Sequence, residues 1–261
     1  GFAPVPLPEE WSEQSLMGMG LAQDKRHVYA AIGSSDWLVM DRDSLDIKGL
    51  HGLDSCWGVH SVSLHGRTLT VLSTGSDEIQ QYELDGAGRP GAGTVWWRPE
   101  PDAPRHDGHH INGICPRPGR DGFIISGLEW EGQFTDRYRR DYTNGFVALV
   151  PEGEMLAEGL WYPHTPVLLD DGLAWCESMT GVVHMPGRGV IRTGAAFVRG
   201  LCQVDDLLLV GTSGVRGRVP RNLGLQARCS VIAYHAKTWE QLWQIDLGAW
   251  GAEVSELMPL A

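Results

Sequence analysis

The amino-acid sequence predicts an all-β fold, a β-propeller built from four-stranded blades. A weak unit of two apolar strands joined by a polar turn, followed by two further strands, recurs five times in the 261 residues. The 34 glycines and 15 prolines are scattered, as many tight turns require. No amphipathic helical periodicity of useful length interrupts the strands. We therefore expect five complete blades in a single domain that spans residues 1–261.

Each repeat begins with a hairpin whose polar or Gly-containing turn lies between aliphatic and β-branched residues. The hairpins occupy residues 20–35, 61–75, 113–127, 165–181 and 200–214. Two short apolar segments after each hairpin complete the unit at the size of a blade. A last segment, WGAEVSELMPL (250–260), echoes WGVHSVSL (57–64) and predicts a possible incomplete sixth unit.

The repeats predict which side chains reach the central channel of the propeller. The first strand of each blade lines that channel, so equivalent positions should form a ring, and side chains two residues apart point the same way. The position directly before each hairpin supplies Met19, His60, Asn112, His164 and Arg199, and the partial unit adds Glu253. The position two residues earlier supplies Met17, Gly58, His110, Tyr162, Phe197 and Gly251.

Three of these residues, His60, His110 and His164, are predicted to bind one metal ion. Neutral imidazole suits Fe, Cu and Zn, so the predicted cofactor is a divalent transition metal of open identity. Three protein ligands with one open position is the form of a catalytic metal site. The alternative is a polar channel whose histidines bind water and backbone without a metal.

Four further ring residues complete the predicted site. Glu253 is expected to be a metal ligand or a general base. Asn112 and Arg199 are expected to orient the substrate and to stabilise developing negative charge. Tyr162 is predicted to contact the substrate.

Two long insertions, residues 129–143 and 214–228, separate the second and third strands of the third and fifth repeats. Both are rich in arginine, which can bind a carboxylate or phosphate bidentately. We therefore predict that Arg137, Arg140, Arg216 and Arg218 bind an anionic substrate. The alternative is that these are ordinary solvated loops.

Composition restricts the partners and the compartment. A net charge of −12 argues against a general nucleic-acid-binding face. No run of 18 apolar residues is present, so no membrane partner is expected. The five cysteines are dispersed without a CxxC pair, which is typical of free thiols in a reducing compartment and predicts a cytoplasmic location. The oligomeric state is not predicted.

Three segments resemble a known family: HINGI (110–114), GLWYPHTPVLLDDGLAWCES (159–178) and VRGLCQVDDLLLVGTS (198–213). They are similar to the HxNG, PHSP and RGL blocks of a bacterial β-propeller family, a domain of unknown function, over roughly residues 105–260. The resemblance implies the propeller fold and draws attention to His110, Asn112, His164 and Arg199, but it implies no reaction. A looser similarity is to lactonase-like propellers and to carotenoid-cleaving oxygenases, which hold iron with one histidine per blade.

The function predicted from these observations is a metal-dependent enzyme acting on a small anionic metabolite, with redox or oxygenase chemistry preferred because of the imidazole ligands. One alternative is a metal-free lyase, isomerase or cyclase that uses a histidine as general acid or base. Another is a non-enzymatic propeller that binds a ligand or a protein.

Overall fold

The structure is a computed structural model that describes Val5 and residues 18–134, 143–214, 224–249, 251 and 253–260. Over these residues the chain forms five antiparallel sheets of four strands each, and the strands pair in chain order within every sheet. Such sheets are the blades of a β-propeller, so the predicted fold class is confirmed, with five blades. Contacts divide the chain into two compact units, residues 1–107 and 108–261. The single domain over residues 1–261 stays a prediction.

The first unit contains two blades, whose facing sides share an apolar core. Trp37, Leu69 and Val71 are fully buried there. A Cβ at Gly20 would lie 2.9 Å from the backbone nitrogen of Val62, so the close contact between the inner strands requires glycine. The strands are β1 (Gly18–Gln23), β2 (His27–Ile32), β3 (Asp36–Asp41), β4 (Ile47–Gly52), β5 (Val59–His65), β6 (Thr68–Ser73), β7 (Glu78–Glu83) and β8 (Thr94–Trp97).

The second unit contains three blades and the candidate site. One apolar cluster includes Cys115, Val147 and Trp175, and another includes Leu201 and Val210. The strands are β9 (Ile111–Pro116), β10 (Phe123–Gly127), β11 (Gly145–Val150), β12 (Glu154–Leu160), β13 (Pro163–Leu169), β14 (Gly172–Glu177), β15 (Val182–Met185), β16 (Gly189–Arg192), β17 (Val198–Val204), β18 (Leu207–Thr212), β19 (Ser230–His235) and β20 (Gln241–Asp246).

Every inner strand has a register irregularity near its start. The pairing of each first strand with its second strand skips at Met19, His60, Asn112 and Gly200, and between His164 and Val167. A β-bulge leaves a residue unpaired and redirects side chains. The residues two positions before the predicted ring share a left-handed backbone in four of the five strands. Their φ angles lie between 49° and 70° at Gly58, His110, Tyr162 and Phe197. The irregularity lies at the predicted equivalent position in β1, β5 and β9, and directly after that position in β13 and β17.

The C-terminal segment forms no strand in its described residues, 251 and 253–260. It nevertheless packs beside an inner strand, because a Cβ at Gly200 would lie 3.1 Å from the nitrogen of Leu257. At the equivalent glycine of β9, Gly113, the close atoms of the neighbouring strand are the Cδ of Pro166 at 2.5 Å and the nitrogen of Thr165 at 3.1 Å. The predicted equivalence of Glu253 with His164 stays a prediction.

Within the described parts of the chain, no helix has the length and apolar character needed to cross a membrane.

Candidate functional site

Three polar side chains from the inner strands of the second unit meet in one buried group. They are Asn112 on β9, His164 on β13 and Arg199 on β17, with 3%, 4% and 7% of their surfaces exposed. The Nη2 of Arg199 lies 2.9 Å from the Nε2 of His164, and the Nδ2 of Asn112 lies 3.3 Å from the same atom. We call this group the inner cluster; the structure brings together three residues that the sequence predicted for the site.

The hydrogen bonds of His164 define where its proton lies. A guanidinium group only donates, so the Nε2 of His164 accepts from Arg199 and the ring proton is on Nδ1. Nδ1 lies 2.8 Å from the Oγ of Ser178 and 3.0 Å from the carbonyl oxygen of Tyr162, and both can accept that proton. The Ser178 hydroxyl donates in turn to the carbonyl of Val198 at 2.8 Å. In this arrangement His164 is a neutral imidazole whose Nε2 lone pair accepts from Arg199.

A second serine orients the amide of Asn112. The fully buried Ser126 donates from Oγ to the Oδ1 of Asn112 at 2.7 Å, which turns the amide NH₂ group toward His164. Neither Ser126 nor Ser178 was predicted as a site residue. A signal was present in the sequence, because the second strand of each repeat ends in or just before Gly or Ser.

Glu253 lies near the guanidinium without touching it closely. Its Oε2 is 3.8 Å from the Nη1 of Arg199, which is an ion-pair distance but too long for a hydrogen bond. The backbone beside Glu253 is anchored, since the Val254 N–H donates to the Oγ of Ser213 at 3.2 Å. Further along the segment, burial raises the pKa of the Glu256 carboxyl to about 8, so that group is largely protonated at neutral pH.

The arrangement at His164 does not fit a metal ion. A cation at Nε2 would have to replace Arg199 and stand beside its positive charge, while Nδ1 already carries the proton bound by Ser178. Among the described residues, no three His, Cys, Asp or Glu side chains converge into a group that could hold a metal. In the described structure His164 is a hydrogen-bond acceptor, and metal binding at its Nε2, which would require Arg199 to move, stays a prediction.

The other predicted ligands are placed without a metal assignment. His60 lies on β5 of the first unit and is partly buried. His110 precedes β9 with a left-handed backbone, φ 49°, and its ring stacks on Phe134 with 4.3 Å between centroids. Metal binding by His60 and His110 stays a prediction.

Tyr162 lies two residues before His164 and packs against an apolar cluster that contains Met179 and Phe197. Its carbonyl oxygen lies 3.0 Å from the Nδ1 of His164 in the inner cluster. The two insertions do join β10 to β11 and β18 to β19, as predicted. The four predicted anion-binding arginines, Arg137, Arg140, Arg216 and Arg218, lie outside the described residues, so their role stays a prediction.

The five cysteines are free thiols, as expected. Burial raises the pKa values of Cys56, Cys115 and Cys202 to about 11, so these thiols are protonated at neutral pH. Because the thiolate is the nucleophilic form, none of these three suits covalent catalysis.

Comparisons with known proteins define the class of this chain. Residues 56–257 match the model of DUF4915, a domain of unknown function, and the chain belongs to that family. The family resemblance inferred from the sequence is thereby confirmed, and the fold supports it. No curated protein matches the chain in sequence.

Several solved structures share the fold. A chain in a nidogen–laminin complex has a TM-score of 0.65 at 15% identity, covering 92% of this chain and 84% of that one. A luciferin-regenerating enzyme has a TM-score of 0.61 at 11% identity, covering 88% and 76%. The WD40 domain of Neurospora crassa Pan2 has a TM-score of 0.51 at 12% identity, covering 92% and 69%. At these identities the likeness concerns the fold alone.

Proposed function

We propose that the inner cluster is a metal-independent site that binds a small molecule through its carboxylate or phosphate group and moves a proton on it. The observation that carries the proposal is the convergence of two donors, Arg199 Nη2 and Asn112 Nδ2, on a single lone pair of His164. This corresponds to the lyase, isomerase or cyclase alternative predicted from the sequence rather than to the metalloenzyme.

The donors explain the preference for an anion. Arg199 and Asn112 both present N–H groups to one point, and a carboxylate or phosphate oxygen is a stronger acceptor than an imidazole nitrogen. Arg199 is 93% buried, so its charge is poorly screened by water and attracts an anion more strongly than a surface arginine would.

The same exchange would supply the base. When a ligand oxygen takes the donors of Arg199 and Asn112, the Nε2 of His164 is released beside the bound anion. Ser178 and the Tyr162 carbonyl keep the proton on Nδ1 and hold the ring, so the base is one defined atom. Arg199 and Asn112 then stabilise the negative charge that develops when a proton leaves the ligand.

The binding half of the proposal is tested by titrating acetate, benzoate and inorganic phosphate into chelator-treated protein. We expect at least one of these anions to bind, and Arg199→Met to weaken its affinity about tenfold or more. Arg192→Met is the matched control, because Arg192 is an exposed arginine of the same unit on β16, the last strand of its blade. The proposal would be contradicted if an anion bound to untreated protein but not to chelator-treated protein. It would also be contradicted if Arg199→Met left the affinity unchanged.

The catalytic half is tested by incubating a panel of carboxylic acids with the protein in D₂O. Proton abstraction next to the carboxylate appears as exchange of the α-hydrogen for deuterium in the ¹H NMR spectrum. We expect exchange with the wild type and its loss in His164→Gln, which keeps an acceptor for Arg199 but has no basic nitrogen. Exchange that persists in His164→Gln would assign the base elsewhere.

A further inference from the structure

The outermost strand of the fifth blade, β20, presents an open edge and an apolar surface. Among the described residues it pairs with β19 alone, so the backbone groups of its other edge face no strand. All six of its residues are exposed, and Leu242, Trp243 and Ile245 keep 44%, 40% and 43% of their surfaces accessible. An exposed edge of this kind is a template for pairing with another strand.

The outer strands of the other four blades are protected against such pairing. Lys48 lies inside β4 and Glu158 lies inside β12, and a charged side chain on an edge opposes an approaching strand. The strands β8 and β16 are only four residues long, which also limits pairing. By contrast, β20 has six residues, and its one charged residue, Asp246, is the last of them. Of the five outer strands that the structure describes, β20 is therefore the least protected.

The order of side chains in β20 is self-complementary. From Trp243 onward the strand follows β19 without irregularity, so alternate residues point to opposite faces and Trp243 shares a face with Ile245. Two antiparallel copies of β20 about a twofold axis at Gln244 place each Trp243 opposite the Ile245 of the other copy. Aromatic side chains opposite β-branched ones stabilise a pair of strands. An axis at Gln244 also keeps the pairing within the regular residues, away from the bulge at Leu242.

We propose that β20 is the interface through which two copies of this protein form a weak antiparallel dimer, with the two fifth blades joined into one sheet. Hydrogen bonds between the two edges satisfy backbone groups, and the facing Trp243 and Ile245 side chains remove apolar surface from water. Six residues cover on the order of a few hundred Å² per copy, against roughly 800 Å² per partner in a standard interface. The dimer is therefore reversible, with an expected Kd on the order of 10–100 µM.

Sedimentation equilibrium between about 1 µM and about 500 µM protein measures the association. We expect the wild type to dimerise within this range and Ile245→Lys to raise the Kd about tenfold or more, because a charge on the edge opposes pairing. The matched control is Leu156→Lys, since Leu156 is 39% exposed on β12, the outer strand of another blade in the same unit. It should leave the Kd unchanged. Circular dichroism establishes that each variant is folded.

The position of the twofold axis is tested by disulfide cross-linking. Directly opposed residues of antiparallel strands have Cα atoms about 4.5–5.5 Å apart, a distance that a disulfide can span. We expect Gln244→Cys, treated with oxidised glutathione, to give a covalent dimer on a non-reducing gel. In Gln241→Cys the two new thiols would lie roughly 20 Å apart, so that variant should give no more covalent dimer than the wild type.

Three results would overturn the inference. The first is a wild type that stays monomeric up to about 500 µM, in which case the edge of β20 is not an interface between copies. The second is a dimer whose Kd is the same in Ile245→Lys as in the wild type, and the third is equal cross-linking in Gln241→Cys and Gln244→Cys. None of these results bears on the proposed function, because anion binding by the inner cluster is measured separately.

Discussion

Replacing Gly200 with alanine should destabilise the protein because two independent constraints meet at this residue. Gly200 has φ 62°, and an added Cβ would lie 3.0 Å from the carbonyl carbon of Glu256 and 3.1 Å from the nitrogen of Leu257. A left-handed backbone costs alanine roughly 1–2 kcal/mol. Moving the backbone of residues 256–257 away from the methyl group adds roughly 1–3 kcal/mol, as for overpacking. The expected loss of unfolding free energy is therefore about 2–5 kcal/mol.

The matched control is Gly194→Ala, which isolates the backbone contribution. Gly194 has φ 70°, and an added Cβ would have nothing within 4 Å. Urea unfolding followed by tryptophan fluorescence should show that Gly200→Ala loses about 1–3 kcal/mol more than Gly194→Ala. Equal losses in the two variants would refute the packing of the C-terminal segment against β17.

Three further predictions concern the inner cluster and its surroundings. Ser178→Ala should lower the free energy of unfolding by about 1–3 kcal/mol, because the carbonyl of Val198 and the Nδ1 proton of His164 lose a buried partner. The exposed Ser44→Ala should change it by less than about 0.5 kcal/mol, and similar losses in both would contradict the network. Glu256 keeps a proton in the folded protein up to about pH 8 that the unfolded chain releases near 4.5, so wild-type stability should fall as pH rises through that window. Glu256→Gln should remove this fall, as measured by urea unfolding at pH 5, 7 and 9, and identical pH profiles would show that the carboxyl is not buried. Elemental analysis should find the same Fe, Cu and Zn content in wild type and His164→Ala, whereas a stoichiometric metal lost in the variant would restore the metal site.

The sequence predicted the blades because the propeller repeats one local pattern. Hairpin turns and apolar alternation recur in every unit, so each of the twenty described strands overlaps a segment assigned from the sequence, although the inner strands begin two residues earlier. The same alignment placed Asn112, His164 and Arg199 at equivalent positions, and the structure joins them by hydrogen bonds.

The exact register of the C-terminal segment could not be predicted from the repeat pattern. The similarity between WGAEVSEL and WGVHSVSL includes the Trp and Gly at the start of each segment. The register of the C-terminal segment, however, depends on its close contacts with Gly200 and Gly211. Those contacts involve glycines on other strands, so they cannot be recognised from the sequence of the segment itself.

The chemistry of His164 could not be predicted from its position alone. A histidine beside the channel can bind a metal through Nε2 or accept a hydrogen bond there. The position of the histidine in the repeat is compatible with either role. The 2.9 Å distance from Arg199 on a neighbouring blade favours the hydrogen bond, as does Ser178 beside the opposite ring nitrogen. These are pairings of side chains more than a dozen residues apart, which the repeat pattern does not specify.

The protonation state of His164 tests the central claim most directly, because the donor-rich, metal-free site depends on it. Protein labelled with ¹⁵N-histidine gives two-bond ¹H–¹⁵N correlations that distinguish the two neutral tautomers, and the signals of His164 are assigned by their loss in His164→Gln. We predict a neutral ring at pH 7 with the proton on Nδ1 and a hydrogen-bonded, unprotonated Nε2. A proton on Nε2, or a Nε2 resonance that shifts when metal is removed by a chelator, would contradict the account.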